Sequence, residues 1–255
     1  MLTPLVTLCD GTVTSINGLR ANRGADGRFP FAKRFKLINA TRNVNNTADQ
    51  IYFQISGSGN QTITITGSDL AALTGAVIID GTTQSGYASS PLISIVDGDT
   101  RSIGLSLSTG SDGSTIRGLN IQGFGTAGIA ITSSSNTIAG NWIGTSSREQ
   151  AQLVITMGSR SGGDNNIIGG TSTLDRNVLS GQTNNAISIS GNGDNTQILG
   201  NYIGTNKDGT ALVANSVSGV WIGDSTGTII GGNTSSRRNV IVGDGYGIGG
   251  STLTI

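Results

Sequence analysis

The phrase Gly140-Asn141-Trp142-Ile143-Gly144-Thr145 returns further along the chain as Gly200-Asn201-Tyr202-Ile203-Gly204-Thr205. A second phrase, Ile167-Ile168-Gly169-Gly170, returns as Ile229-Ile230-Gly231-Gly232. Arg176-Asn177-Val178 returns as Arg238-Asn239-Val240, with the same offset as the second phrase. The Gly-Asn and Gly-Gly phrases alternate along the chain at steps of roughly 30 residues. A chain that repeats itself at such a period stacks one small unit on the next, and each unit buries its apolar side against its neighbours. One elongated repeat body is therefore expected, not two compact domains.

Composition agrees with that reading. Of 255 residues 41 are Gly, and aromatics make up only 4%. So few large side chains cannot fill a deep core, but stacked Ile, Val and Leu can fill the narrow core of a solenoid. From residue 50 onward short apolar runs alternate in period two, as in Ile51-Tyr52-Phe53-Gln54-Ile55, Thr62-Ile63-Thr64-Ile65, Leu92-Ile93-Ser94-Ile95-Val96 and Ala186-Ile187-Ser188-Ile189. These read as short strands with one side chain inward and the next outward. The turns recur as Gly-Asn or Gly-Gly before Ile, which suits corners in a chain that keeps turning one way.

The expected fold is all-β: a right-handed, single-stranded parallel β-helix over residues 44–255. Each coil has three short strands, and coils stack about 4.8 Å apart. Ser114-Thr115-Ile116-Arg117-Gly118-Leu119 should pair with Asn136-Thr137-Ile138-Ala139-Gly140-Asn141. Ile138, Ile143, Ile198 and Ile203 should face the core, with Thr205 outside it. Asn side chains stacked at the corners can exchange amide hydrogen bonds as ladders. Residues 1–43 form a separate N-terminal segment, irregular over 1–30. Over 31–43, Phe31, Phe35 and Ile38 share one helical face and Lys33, Arg34, Lys36 and Arg42 take the other. The expectation is a short amphipathic helix capping the first open coil.

Charge narrows the partners. Lys plus Arg and Asp plus Glu balance at 15 each, so nothing global favours nucleic acid, which calls for a basic surface. A basic run over 20–42 reads either as a surface that meets an anionic partner or as the wet side of the cap, the latter being expected. No stretch approaches 18 apolar residues, so no membrane-spanning helix is expected. The single Cys9 allows no intrachain disulfide. The final phrase, Gly249-Gly250-Ser251-Thr252-Leu253-Thr254-Ile255, has no polar cap. The expectation is a chain that continues, or an end that associates with another copy.

Several phrases taken in order resemble a known family. They are Ala48-Asp49-Gln50-Ile51-Tyr52-Phe53, Ile79-Asp80-Gly81-Thr82-Thr83-Gln84-Ser85-Gly86-Tyr87, Ile116-Arg117-Gly118-Leu119-Asn120-Ile121 and Gly140-Asn141-Trp142-Ile143-Gly144-Thr145. Arg176-Asn177-Val178-Leu179-Ser180-Gly181 and Gly204-Thr205-Asn206-Lys207-Asp208-Gly209-Thr210-Ala211-Leu212 extend the series. Over about residues 45–250 the chain is similar to bacterial right-handed β-helix repeat proteins of the pectin-lyase-like superfamily. Those are large proteins that are secreted or displayed at the cell surface. The N-terminal part departs from them: where the family often has a Leu-Arg-Glu-Ala-Ile helix, this chain has Phe35-Lys36-Leu37-Ile38-Asn39-Ala40. The resemblance implies the fold and export, and little chemistry, because a fold does not carry an activity with it.

The chain has no histidine. That removes Ser-His-Asp and Cys-His nucleophiles and His-ligated zinc. The carboxylates remain. Asp97-Gly98-Asp99 with Arg101 reads either as an acid/base or calcium element, a combination the resemblance implies for lyases, or as a hydrogen-bonded turn. Asp112, Asp164, Asp194 and Asp224 lie in Gly/Ser/Asn-rich loops, and the last three are evenly spaced. They could line one edge and collect calcium, or simply repeat one turn. Beyond that calcium reading, no resident metal or cofactor is expected. Trp142, Tyr202 and Trp221 could stack on sugar rings or pack between coils.

The leading functional expectation is a non-catalytic repeat module of an exported bacterial protein. It would act as a rigid surface spacer, or as a stalk that binds polysaccharide or another cell-surface component. The alternatives are a β-helix carbohydrate-active enzyme, a polysaccharide lyase or glycoside hydrolase using Asp residues, and an ice-binding solenoid with Thr62, Thr64 and Thr66 on a flat face.

Overall fold

The computed structural model describes residues 5–8, 48–66, 69–99, 101–144, 153–156, 163–191, 193–243 and 245–250; of 5–8 and 153–156 it describes the strand path alone. The expected capping helix at 31–43, the basic run over 20–42, Cys9 and residues 251–255 lie outside the described residues.

The described residues form an all-β fold of three parallel sheets. The first sheet has eight strands: Leu5–Leu8, Asp49–Phe53, Val77–Asp80, Thr115–Arg117, Thr137–Ala139, Ile167–Gly169, Gln197–Leu199 and Ile229–Ile230. The second has seven: Gln61–Ile65, Ile93–Asp97, Leu119–Gln122, Trp142–Ile143, Val178–Leu179, Tyr202–Ile203 and Val240–Ile241. The third has six: Ile103–Leu107, Ala127–Ile131, Leu153–Thr156, Ile187–Ser190, Ser218–Gly223 and Tyr246–Gly250. From Val77 on, the chain visits the first, second and third sheets in turn, then returns to the first one strand further along.

The period-two runs explain the packing. In the first sheet Ile51, Ile79, Ile116, Ile138, Ile168 and Ile198 stand in register, one per circuit, and none is more than 4% exposed. Ile95, Ile121, Ile143, Leu179 and Ile203 form the matching column of the second sheet. In the third sheet Leu105 stands beside Ile129, and Ile187 beside Val220. These columns meet in one apolar cluster. Each buried aliphatic side chain contributes about 1.5–3 kcal/mol, and the β-branch of the isoleucines and valines suits the extended backbone. Register also pairs Ile116 with Ile138, as the sequence predicts. Thr205 differs from expectation. It is buried, and its carbonyl accepts a 2.6 Å hydrogen bond from Ser180 Oγ.

The sequence predicts irregular structure over residues 1–30, yet Leu5–Leu8 forms a strand parallel to Asp49–Phe53, with Val6 beside Ile51. So short a strand displays no period of its own, and the pairing partner, not the local pattern, decides its state.

The alternating phrases prove to be one corner in two lengths. Between the first and second sheets the chain turns tightly at Gly140-Asn141 and Gly200-Asn201. In the intervening circuits the same corner is extended by the short 3-10 helices Thr173–Asp175 and Ser235–Arg237. These four corners each end on an asparagine: Asn141, Asn177, Asn201, Asn239. Their amide Nδ2 groups donate to the carbonyls of Ile116, Ile138, Ile168 and Ile198 at 2.7–2.9 Å. Corner carbonyls that no strand reaches are satisfied in this way. Gly140 is needed for space as well as for its φ of +66°: a Cβ there would stand 2.6 Å from the carbonyl oxygen of Leu174.

Candidate functional site

The sequence singles out Asp97, Asp99 and Arg101, and the fold brings all three together. They form the corner between the second-sheet strand Ile93–Asp97 and the third-sheet strand Ile103–Leu107. Asp97 Oδ2 accepts the Arg101 N–H at 2.7 Å, and Oδ1 accepts the Asp99 N–H at 3.2 Å together with Arg101 Nη1. Arg101 Nη2 donates to Asp99 Oδ2 at 2.9 Å, and Nη1 donates to the Ile65 carbonyl at 2.8 Å. The Asp97 and Arg101 side chains are 1% and 3% exposed. Burial alone would lower the Arg101 pKa, but hydrogen bonds to the Asp99 and Asp97 carboxylates outweigh it and hold the group above its ordinary value. A guanidinium held charged in this way does not act as a base. Chemically the trio ties a corner to the preceding circuit, and its polar atoms bond to one another and to backbone.

The three aromatic residues do not share a surface. Trp142 and Tyr202 stand on the outer column of the second sheet, separated by the buried Val178. The Arg176 guanidinium lies 4.1 Å from the Tyr202 ring centroid. Gly209 also packs against the ring, since a Cβ there would stand 2.7 Å from Tyr202 Cζ. Tyr202 is thus covered in part by its own chain. Trp221 belongs to the third sheet, between Ser188 and Gly249. The threonine face is equally short: Thr62 stands beside Ser94 and Thr64 beside Val96, so no Thr column continues to the next strand.

Of the aspartate row, Asp112, Asp164 and Asp194 line one edge. Asp112 Oδ1 accepts the Ser134 N–H at 2.7 Å, Asp164 Oδ1 the Asp194 N–H at 3.2 Å, and Asp194 Oδ1 the Thr226 N–H at 2.6 Å. Ser134 Oγ fills the missing step by accepting the N–H groups of Gly163 and Asp164. Each carboxylate or hydroxyl thereby caps a backbone donor one circuit on. Asp224 is not in the row, because Thr226 occupies its place. Among the described residues no group of three or more His, Cys, Asp or Glu side chains is placed to hold a metal ion.

A further cluster is scarcely visible in the sequence. Asp80 ends the strand Val77–Asp80 and caps the 3-10 helix Gly81–Thr83. Its Oδ1 accepts from Thr82 N at 3.0 Å and Thr82 Oγ1 at 2.6 Å, and its Oδ2 accepts from Arg117 Nη2. Register sets Arg117 directly beside Asp80, and Tyr52 on Asp80's other side. The Asp80 side chain is 4% exposed and that of Arg117 is 50% exposed. Burial works to raise the Asp80 pKa, but the Arg117 and Thr82 hydrogen bonds outweigh it and hold the carboxyl below its ordinary range. The hydrogen bond to Asp80 raises the pKa of Arg117. Burial raises that of the Tyr87 phenol, and the negative charges of Asp80 and Asp175 add to it. The only sequence signal for this site is Asp80-Gly81-Thr82, an Asx-turn pattern. Its partner Arg117 lies a whole circuit further on.

Comparison with known protein families, with curated proteins and with solved structures gives no match to this chain.

Proposed function

We propose that the three sheets are the faces of a right-handed parallel β-helix of the pectin-lyase-like kind, and that the chain is a non-catalytic repeat module of an exported bacterial protein. It serves as a rigid spacer whose outer surface meets glycans at a cell surface. The cyclic visiting of three parallel sheets supports the helix, and its hand follows from the preference of parallel crossover connections.

One observation carries the functional reading: the carboxylates that could do chemistry serve the backbone. Asp97 holds the N–H groups of Asp99 and Arg101, Asp112 that of Ser134, and Asp194 that of Thr226. A glycosidase or lyase needs an acid and a base directed at one bond of a substrate. The charge balance of 15 against 15 makes a neutral surface partner, not nucleic acid, the natural one.

The test is a panel of polyuronides and neutral glycans assayed with and without calcium, beside far-ultraviolet circular dichroism. A β-rich spectrum with no turnover is expected. Turnover that disappears in Asp97→Asn while the fold is kept would overturn the spacer reading in favour of the enzyme.

A further inference from the structure

The corner asparagines serve the backbone. Asn136, Asn166 and Asn215, like the four that end the first corner, are buried and donate to backbone carbonyls. Two asparagines differ. Asn60 and Asn233 are exposed, and each heads an Asn-x-Ser/Thr triplet: Asn60-Gln61-Thr62 and Asn233-Thr234-Ser235. Among the described residues no other asparagine heads one. Asn39-Ala40-Thr41 and Asn45-Asn46-Thr47 share the pattern and lie outside the described residues. The triplet is the acceptor pattern for N-linked glycosylation, a modification of surface loops. In a chain rich in Asn, Ser and Thr the triplet alone selects little, so local structure decides.

Asn60 closes an exposed stretch, residues 56–60, just before the strand Gln61–Ile65. A Cβ added at Gly59 would meet nothing within 4 Å, so the loop stands clear of its neighbours. Gln61–Ile65 is the first strand of the second sheet and, among the described residues, pairs only with Ile93–Asp97. Thr62 is exposed on its outer face. The amide and the hydroxyl two residues on are thus both open to an enzyme. Asn233 is picked out by comparing two equivalent corners, Thr171-Ser172-Thr173-Leu174-Asp175 and Asn233-Thr234-Ser235-Ser236-Arg237. In the first, Ser172 Oγ accepts the Leu174 N–H and Asp175 Oδ2 accepts the Ser172 N–H, both at 3.2 Å, as a capping box. In the second, Arg237 stands in the place of Asp175, and Thr234 makes no side-chain cap. Thr234 Oγ1 meets Ser236 Oγ at 3.1 Å instead. Residues 232–238 are all exposed, the Ser235 of the triplet included. The corner keeps its 3-10 helix, and an acceptor triplet replaces the box.

We propose that Asn60 and Asn233 are acceptors for N-linked glycans, transferred by an asparagine glycosyltransferase from a sugar diphosphate, which is either a nucleotide diphosphate sugar or a polyprenyl diphosphate oligosaccharide. The Asn Nδ2 attacks C1 of the sugar, and the bond from C1 to the diphosphate oxygen breaks. The diphosphate departs with that bonding pair and takes up the proton that Nδ2 sheds, so nothing is oxidised or reduced. Both sites lie on the corner between the first and second sheets. Asn60 precedes the first strand of the second sheet and Asn233 the last of its seven described strands. Six steps separate them, or about 29 Å at about 4.8 Å per step. The ladder asparagines do not compete, because their amides are already bonded inside the stack. The sites stand apart from the spacer reading, since a catalytic module could carry the same glycans.

The experiment treats the folded full chain in two arms. One supplies a soluble asparagine glucosyltransferase with UDP-glucose, the other a membrane oligosaccharyltransferase with a polyprenyl diphosphate oligosaccharide. Peptide mapping by mass spectrometry reads each asparagine separately. At least one arm should place sugar on both Asn60 and Asn233, and none on the buried Asn141 or on Asn184, which is exposed but heads no triplet. Which arm succeeds identifies the donor. Thr62→Ala should lower occupancy at Asn60 tenfold or more, and Ser235→Ala that at Asn233, whereas Thr62→Ser and Ser235→Thr should retain most of it. All four changes are at exposed positions, and circular dichroism should give the parent's spectrum for each. Both asparagines bare in both arms, sugar only on a heat-unfolded sample, or occupancy that persists in Thr62→Ala and Ser235→Ala would overturn the proposal. Sugar at only one of the two would overturn the pairing along the edge.

Discussion

Asn141 and Asn177 lie on successive circuits and are hydrogen-bonded neighbours in the fold: the backbone N–H and the Nδ2 of Asn141 both donate to Asn177 Oδ1, at 2.9 and 3.3 Å. Asn177 makes the same pair of bonds to Asn201, and Asn201 to Asn239. Removing one member leaves a donor below and a carbonyl beside it without partners. Asn177→Ala should cost about 2–4 kcal/mol, since each buried orphan costs about 1–3 kcal/mol. Asn177→Asp should be no better, because a carboxylate oxygen would face the Ile138 carbonyl. Asn184→Ala, at an exposed position, should fall within about 0.5 kcal/mol of the parent. Denaturant midpoints followed by circular dichroism decide it; equal midpoints for Asn177→Ala and Asn184→Ala would refute the ladder's role.

The isoleucine column makes a graded prediction. Ile198 is fully buried between Ile168 and Ile230. Ile198→Val should cost about 0.5–1.5 kcal/mol and Ile198→Ala about 2–5 kcal/mol, while Ile198→Asp should prevent folding of that region. Thermal melts of the three variants should rank in that order.

The corner at Arg101 separates structure from catalysis. Arg101→Met would leave the buried Asp97 carboxylate without its cation, at a cost of about 3–5 kcal/mol. Arg101→Lys keeps the charge but cannot reach Asp97, Asp99 and the Ile65 carbonyl with one fork, so it should fall between Met and the parent. Chemical denaturation measures both. Stability unchanged in Arg101→Met would show that the buried pair does not secure this corner.

Acid should act through Asp80. Its folded pKa lies below its unfolded value because Arg117 and Thr82 outweigh the effect of burial. A depressed carboxyl pKa adds stability that is fully present above the unfolded value, near pH 4, and is lost as pH falls through the folded value. Asp80→Asn should therefore be less stable than the parent at pH 7, and the gap should narrow on acidification below about pH 4. A gap that stays constant from pH 7 to pH 2 would contradict this assignment.

Strand positions and the core are largely legible in the sequence, because alternation of Ile with small polar residues is a local signal. So is the ladder chemistry, since asparagine is the side chain that both accepts and donates at a corner. What escapes depends on height along the stack. Asp164, Asp194 and Asp224 are evenly spaced in sequence, and even spacing implies one row. The circuits are not evenly long: the one from Gln197 to Ile229 is two residues longer than the one before it, from Ile167 to Gln197. Thr226, and not Asp224, therefore comes level with Asp194. Arg117 meets Asp80 for the same reason. An extended corner lengthens the circuit between them, and sequence alone does not reveal where the extra length is absorbed. Leu5–Leu8 escapes because its state is decided by a partner far along the chain, Asp49–Phe53.

The corner that ends on Asn141, Asn177, Asn201 and Asn239 closes identically whether it is a bare Gly-Asn turn or carries a 3-10 helix. Length on the glycine side is thereby uncoupled from register on the asparagine side. Peptides could be exchanged for the 3-10 segments Thr173–Asp175 and Ser235–Arg237 without displacing the strands that follow, whereas the bare turns at Gly140 and Gly200 lie against neighbouring corners and leave no room for an insert. The molecule is in that respect a rack with a slot in alternate circuits from Thr137 onward, whose contents can change while its frame does not.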